Sequence, residues 1–308
     1  MPLAPEYAAM FAQLAEQEPA PPLYELTPEQ GREMYRMMRP LNPELPVHRV
    51  EDKVIEGSQG PIPLRIYSPE GNGPHGVLVY FHGGGWVIGD LDTCDAVCRE
   101  IATLGNLVVV SVDYRMAPED PYPAAVIDAY DATVWAAENA AALNGNGKVG
   151  VAGESAGGNL AAVVALKARD ENGPVIAFQC LLYPVTDCDL TRGSYEENGE
   201  GYLLETRSMV WFWDTYCPDA AQRREATASP LLAGNLSDLP PALVVTAEFD
   251  PLRDEGEAYA AALKAAGVDS EARRYDGLVH DFFATAALFQ CSRAGFLPTV
   301  ETLRERLS

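Results

Sequence analysis

Five residues, Gly153-Glu154-Ser155-Ala156-Gly157, constrain the fold more than any other stretch of this chain. They join a short apolar run bounded by turn residues, Lys148-Val149-Gly150-Val151-Ala152, to an Ala/Leu-rich helical stretch that runs from Gly158 to Lys167. Gly-x-Ser-x-Gly between a strand and a helix is the pattern of a sharp turn that lifts a serine hydroxyl to the top of a parallel sheet. So sharp a turn strains the serine backbone. A bulky residue two positions away collides with the neighbouring strand or helix, so small residues are required on both sides. The same pattern also occurs in ordinary loops, and its weight depends on what else the chain supplies.

Around that turn the chain alternates strands and helices. Partly alternating strand signals begin at Arg49–Glu56 and Ile62–Tyr67, followed by apolar strands at Val77–Phe81, Leu107–Val112, Val149–Ala152, Val175–Tyr183 and Ala242–Ala247 and a shorter one at Ser270–Tyr275. Helices fit between them at Asp92–Leu104, with Asp92 or Thr93 as cap, and at Ala124–Asn139, Glu255–Ala266 and Phe283–Leu307. This order predicts an α/β fold, with a mostly parallel central sheet covered by helices on both faces. Ahead of it, two helical stretches, Glu6–Gln17 and Pro28–Met38, flank the separator Glu18-Pro19-Ala20-Pro21-Pro22. From Thr186 to about Leu231 the rhythm breaks into a polar, then aromatic segment with Trp211-Phe212-Trp213 and Tyr216, which reads as an insertion able to fold over the sheet as a lid.

A serine hydroxyl attacks only when a base takes its proton. The chain has 4 histidines, so the candidates are few. His48 lies among prolines, His75 in a Gly-Pro turn, and His82 directly before three glycines. His280 follows the last strand, in Asp276-Gly277-Leu278-Val279-His280-Asp281-Phe282, where such a sheet presents a base. The carboxylate that orients the base belongs between Ser155 and His280 at a strand end, and Glu248-Phe249-Asp250 offers two. Asp250 begins the turn and is the favoured partner, with Glu248 directed to backbone or solvent. Asp254 and Glu255 fit the first turn of the next helix, where the dipole favours acids. Asp187 is a weaker candidate. His82-Gly83-Gly84-Gly85-Trp86 follows a strand and fits a loop whose backbone N–H groups receive a developing oxyanion. The donors expected are Gly83, Gly84 and Ala156, with His82 bracing the loop. A phosphate cradle is disfavoured, because no Lys-Ser/Thr follows the glycines.

Composition sets the outer bounds. A net charge of -23, from 45 acidic and 22 basic residues, repels nucleic acid and anionic membranes. It reads as a self-repelling surface, with adaptation to high salt as the sharper alternative. The first 18 residues carry Glu6, Glu16 and Glu18 and no basic region, which points away from a signal peptide. No apolar run approaches the ~18 residues of a membrane span, so a cytoplasmic location is expected. The 6 cysteines are scattered and read as reduced thiols, with Cys94 and Cys98 on one helix face and no zinc site completed.

Taken in order, His82-Gly83-Gly84-Gly85-Trp86, Asp113-Tyr114-Arg115-Met116-Ala117-Pro118-Glu119, Gly153-Glu154-Ser155-Ala156-Gly157-Gly158-Asn159, Asp250-Pro251-Leu252-Arg253-Asp254-Glu255-Gly256 and Val279-His280-Asp281-Phe282 resemble the hormone-sensitive-lipase-like esterases, the bacterial family IV of carboxylesterases. The resemblance runs from about residue 45 to the C-terminus. It implies an α/β-hydrolase core over residues 46–185 and 231–308, and a helical cap from residues 1–45 and 186–230. It also implies a small-molecule ester substrate with a short acyl chain, no metal or organic cofactor, and in several members a homodimer. Glu154 departs from the family's usual aspartate, and Asp113–Glu119 reads as a salt-bridged structural loop. Trp86, Tyr183, Leu204, Phe212 and Phe282 are expected near the substrate from their closeness to the motifs. Three other readings stay open: an amidase or formamidase on the same residues, a small-molecule receptor that does not cleave its ligand, and a lipase acting at lipid interfaces.

Overall fold

A computed structural model describes residues 2–18, 20–39 and 41–308. Pro19, inside the proline-rich separator, lies outside the described residues, as do Met1 and Pro40. Eight strands form one sheet: β1 (Arg49–Gly57), β2 (Gly60–Ser68), β3 (His75–Phe81), β4 (Leu107–Val112), β5 (Gly145–Glu154), β6 (Phe178–Leu182), β7 (Ala242–Phe249) and β8 (Ser270–Val279). Their spatial order is β1-β2-β4-β3-β5-β6-β7-β8. The β1–β2 and β2–β4 pairs are antiparallel, and every other pair is parallel.

The central strands are near-continuous apolar runs because both of their faces are covered. Along β3, Leu78 and Tyr80 enter one core cluster while Val79 and Phe81 enter the other, as the two-residue period of a strand requires. One face is covered by α4 (Ala124–Glu138), α5 (Ala156–Asp170) and α8 (Arg253–Ala265). The other is covered by α3 (Asp95–Gly105) and α9 (Gln290–Leu307). Edge strand β1 leaves most of its residues exposed, and only Ile55 is buried. The result is an α/β-hydrolase fold.

The sequence places these elements in this order but misplaces several ends. The Val175–Tyr183 strand shrinks to Phe178–Leu182, and Val175 is 88 % exposed. The strand before Ser155 instead lengthens back to Gly145 through polar and glycine residues. β8 extends through Asp276-Gly277 to Val279, with a register irregularity opposite Ala247/Phe249. Neither Asp92 nor Thr93 caps α3; both give their amides to the Asp90 carboxylate in the preceding turn, and the helix starts after Cys94. The last helix begins at Gln290 rather than Phe283, because residues 281–288 form successive turns.

Two helices precede the sheet. In α1 (Pro5–Ala15), Tyr7 is buried and its hydroxyl bonds Thr285 and Ser292. The second, α2 (Pro28–Met38), has a reciprocal cap between Thr27 and Gln30 and proline at its first position. Arg32 ties α2 to the carbonyls of Val87 and Ala117 and to Glu119, and Arg36 pairs with Asp90. The 186–231 segment contains α6 (Gly193–Asn198), α7 (Thr206–Tyr216) and no strand. Its aromatic side chains find burial against the glycine loop. Trp86 stacks on Tyr216 with ring centroids 4.2 Å apart and meets Trp213 at 5.0 Å.

Candidate active site

Ser155 stands between β5 and α5 with φ 55° and ψ -117°. A non-glycine residue in this region is strained, and its neighbours hold it there. Its N–H donates to the Leu182 carbonyl, and its own carbonyl accepts from Asn159 and Val185. The Asn159 side chain in turn donates to the carbonyls of Val185 and Ala228. The glycines of the motif are steric necessities. A Cβ on Gly157 would lie 2.0 Å from the Phe81 carbonyl oxygen, and one on Gly153 would lie 2.3 Å from that of Gly157.

His280 follows β8, and its Nε2 lies 3.1 Å from the Ser155 hydroxyl. Its Nδ1 lies 2.8 Å from Asp250 Oδ2, so Nδ1–H donates to the carboxylate and the Nε2 lone pair faces the serine. Asp250 is fully buried and also accepts from the Leu252 amide, which fixes its orientation. Burial disfavours the imidazolium, but the adjacent Asp250 carboxylate outweighs it and raises the His280 pKa above its ordinary value. Glu248 accepts from the Gly277 amide. Glu255 accepts from the amides of Thr186 and Asp187 and from Tyr195, and burial pushes its pKa up to about 8. Asp254 accepts from the Ser194 amide, and Asp187 pairs with Arg192.

The glycine loop lies beside the serine. Gly84 and Gly85 have φ of 112° and 58°, which glycine adopts freely. A Cβ on Gly84 would strike the Ile88 carbonyl at 2.1 Å, and one on Gly85 the Phe212 ring at 2.0 Å. Among the described residues, no backbone carbonyl accepts from Gly84 N–H or from Ala156 N–H, the latter at the open N-terminus of α5. His82 stacks on Tyr114 at 4.3 Å and donates from Nδ1 to the Gly83 carbonyl, and burial lowers its pKa below the ordinary histidine value. The Tyr114 hydroxyl donates to the His82 carbonyl. In the loop that follows β4, Arg115 pairs with Asp128 and Glu119 with Arg32.

A cavity of about 250 Å³ opens onto Ser155 and His280. Leu23, Met34, Tyr35 and Met38 line it from the N-terminal segment, and Leu204, Ser208 and Phe212 from the 186–231 segment. Of the residues expected near substrate, Leu204 and Phe212 line the cavity. Trp86, Tyr183 and Phe282 do not: all three are fully buried behind it. Tyr183 meets the His280 ring edge-on at 4.8 Å and packs on Phe282 at 5.5 Å, while Trp86 lies between the glycine loop and α7. Closeness in sequence to a motif therefore locates the wall around the site but not the side that faces the void. Met34 and Met38, one helical turn apart in α2, are the available sequence signal for the missed wall.

Comparison with known proteins places this geometry. The family pattern described as the alpha/beta hydrolase fold matches residues 78–284. The carboxylic ester hydrolase LipN of Mycobacterium tuberculosis is 48% identical over 266 residues, 84% of this chain and 71% of that protein. Carboxylesterase NlhH of the same organism is 44% identical over 263 residues, 82% of each chain. The hyperthermophilic esterase of the archaeon Pyrobaculum calidifontis superposes with a TM-score of 0.92 at 42% identity, covering 99% of both chains. Among the described residues no helix is long and apolar enough to cross a membrane. The chain belongs to the hormone-sensitive-lipase-like carboxylesterases of the α/β-hydrolase fold and is a carboxylic ester hydrolase acting on small-molecule esters.

Proposed function

We propose that Ser155 is the nucleophile, His280 the base and Asp250 the carboxylate that orients it. The carrying observation is the unbroken chain of hydrogen bonds, 3.1 Å from Ser155 to His280 and 2.8 Å from His280 to Asp250. Ser155 Oγ attacks the ester carbonyl while Nε2 takes its proton. The oxyanion is received by N–H groups of Gly83, Gly84 and Ala156, and one such donor is worth roughly 3–4 kcal/mol. His280 then protonates the leaving alcohol, and water releases the acyl group by the reverse path.

The substrates in this reading are esters of short- to medium-chain acids. A cavity of about 250 Å³ lies below the ~300–1,000 Å³ range of ligand pockets, and its walls are mostly apolar. The cap comprises residues 1–45 and 186–230 over a core of 46–185 and 231–308. The charge of -23 weighs against a nucleic-acid partner, and a cytoplasmic location belongs to the same reading. A homodimer rests on the family resemblance and is checked by sedimentation. A panel of p-nitrophenyl esters from acetate to palmitate, with Ser155→Ala as control, tests the proposal. Activity peaking at palmitate, or surviving in Ser155→Ala, overturns it.

A further inference from the structure

Arg39 ends α2, more than a hundred residues from the turns around Ser155 and His280, yet its side chain is only 7% exposed. One guanidinium nitrogen donates to Glu154 Oε1 at 3.1 Å, and the other bonds Asp281 Oδ1. Glu154 immediately precedes Ser155, and Asp281 immediately follows His280. A single cation from the N-terminal segment thus bridges the two turns that carry the nucleophile and the base. Glu154 is fully buried, and its second oxygen accepts from the Tyr183 hydroxyl at 3.0 Å, the same ring that meets His280 edge-on. Asp281 has φ 71°, a conformation that a side-chain anchor helps to hold. Tyr35 covers the guanidinium, with its ring centroid 4.5 Å away.

We propose that Arg39 is a positioning residue. It locks the Ser155 and His280 turns in register and cancels the carboxylate charge beside the imidazole, so the enzyme is competent only with its N-terminal segment docked. This rests on the assignment of Ser155 and His280 as nucleophile and base. The charged and titratable groups around His280 are Asp250 after β7, Glu154 at the end of β5, Tyr183 after β6, Asp281 in its own turn, and Arg39 and Tyr35 from α2. Glu205 lines the same cavity. Three carboxylates therefore face one histidine, with Arg39 opposing two of them. Both Asp281 and Glu154 add to the field that favours the imidazolium.

The sign follows directly. The base must be neutral, so the acidic limb of kcat/KM reports the protonation of His280 in the free enzyme. Removing the Arg39 cation strengthens the net negative field and moves that limb to higher pH, by about one unit on the scale of nearby-charge effects. Removing the Glu154 charge moves it the other way.

The test compares pH profiles of kcat/KM and kcat on p-nitrophenyl acetate for the intact enzyme and for Arg39→Met, Arg39→Lys, Glu154→Gln and Ser155→Ala. Supporting results are an upward limb shift with a fall in kcat of about tenfold or more in Arg39→Met, partial rescue in Arg39→Lys, and a downward shift in Glu154→Gln. Stripping one partner from a buried pair is strongly destabilising. If Arg39→Met does not fold, the downward shift in Glu154→Gln decides. Limbs unchanged in every folded variant overturn the proposal. A dead Ser155→Ala with unmoved limbs sinks only the role of Arg39, whereas an active Ser155→Ala sinks the nucleophile assignment beneath it.

Discussion

The elbow and the walls above it are held by different kinds of force. Around Ser155 the geometry is set by backbone against backbone: a strand end, a helix N-terminus, and glycines that approach carbonyls more closely than any Cβ would allow. Around the cavity it is set by side chains from distant segments, with Arg32, Arg36 and Arg39 of α2 gripping the core and aromatic rings of α7 packed on Trp86. The first kind tolerates almost no substitution, and in the proposed mechanism it carries the chemistry. The second kind can be repacked at its apolar cavity-facing residues, where substrate preference can change without touching the reaction, whereas the buried Arg39 pairs reach the turns beside Ser155 and His280.

That contrast can be broken from the chemical side first. Ser155→Ala should lower kcat by about six orders of magnitude, measured by hydrolysis of p-nitrophenyl acetate. Asp250→Asn should lower it by about four orders, while Glu248→Gln stays near the parent; the reverse ranking would reassign the carboxylate. Gly157→Ala drives a Cβ into the Phe81 carbonyl and should cost more than about 3 kcal/mol of stability, or prevent folding altogether. A soluble, active Gly157→Ala with a parental melting temperature would show that the elbow is less rigid than its contacts require.

Milder tests address the boundary between the two regions. His280 has a raised pKa and in the proposed mechanism works as the neutral base, so kcat/KM should rise with pH through a midpoint above the ordinary histidine value of about 6.5. A midpoint below that value would mean that desolvation outweighs Asp250. Phe212→Leu trims the cavity wall and should shift kcat/KM toward longer acyl chains by up to about tenfold, with kcat on acetate esters barely altered. A large loss on every ester would instead place Phe212 with the rigid elbow.

How much could be read from sequence follows the same division. Strand order and the elbow were legible because the strand–turn–helix pattern around Ser155 is local, and the few histidines and strand-end carboxylates narrowed its partners to His280 and to Asp250 or Glu248, of which the structure brings His280 and Asp250 to Ser155. Strand ends were less legible. Whether Gly145–Lys148 or Val175 joins the sheet is decided by the neighbouring strand, since Gly145 pairs with His75 across an irregularity that takes in polar Asn146 and Lys148, while apolar Val175 is left exposed. The cavity wall was read least well. Trp86, Tyr183 and Phe282 sit close to motifs yet point into packing, and Met34, Met38 and Arg39 reach the site from a helix with no motif. Such contacts span more than a hundred residues, and nothing local encodes them.

The stack of Trp86 on Tyr216, with Trp213 alongside, gives the molecule an intrinsic optical gauge. The chain has 4 tryptophans, and the two that are fully buried, Trp86 and Trp213, lie at the junction of the glycine loop and α7. Any motion that parts those two segments carries both indoles from apolar packing toward water. Such a motion should therefore red-shift the part of the tryptophan emission that Trp86 and Trp213 contribute, in unlabelled protein.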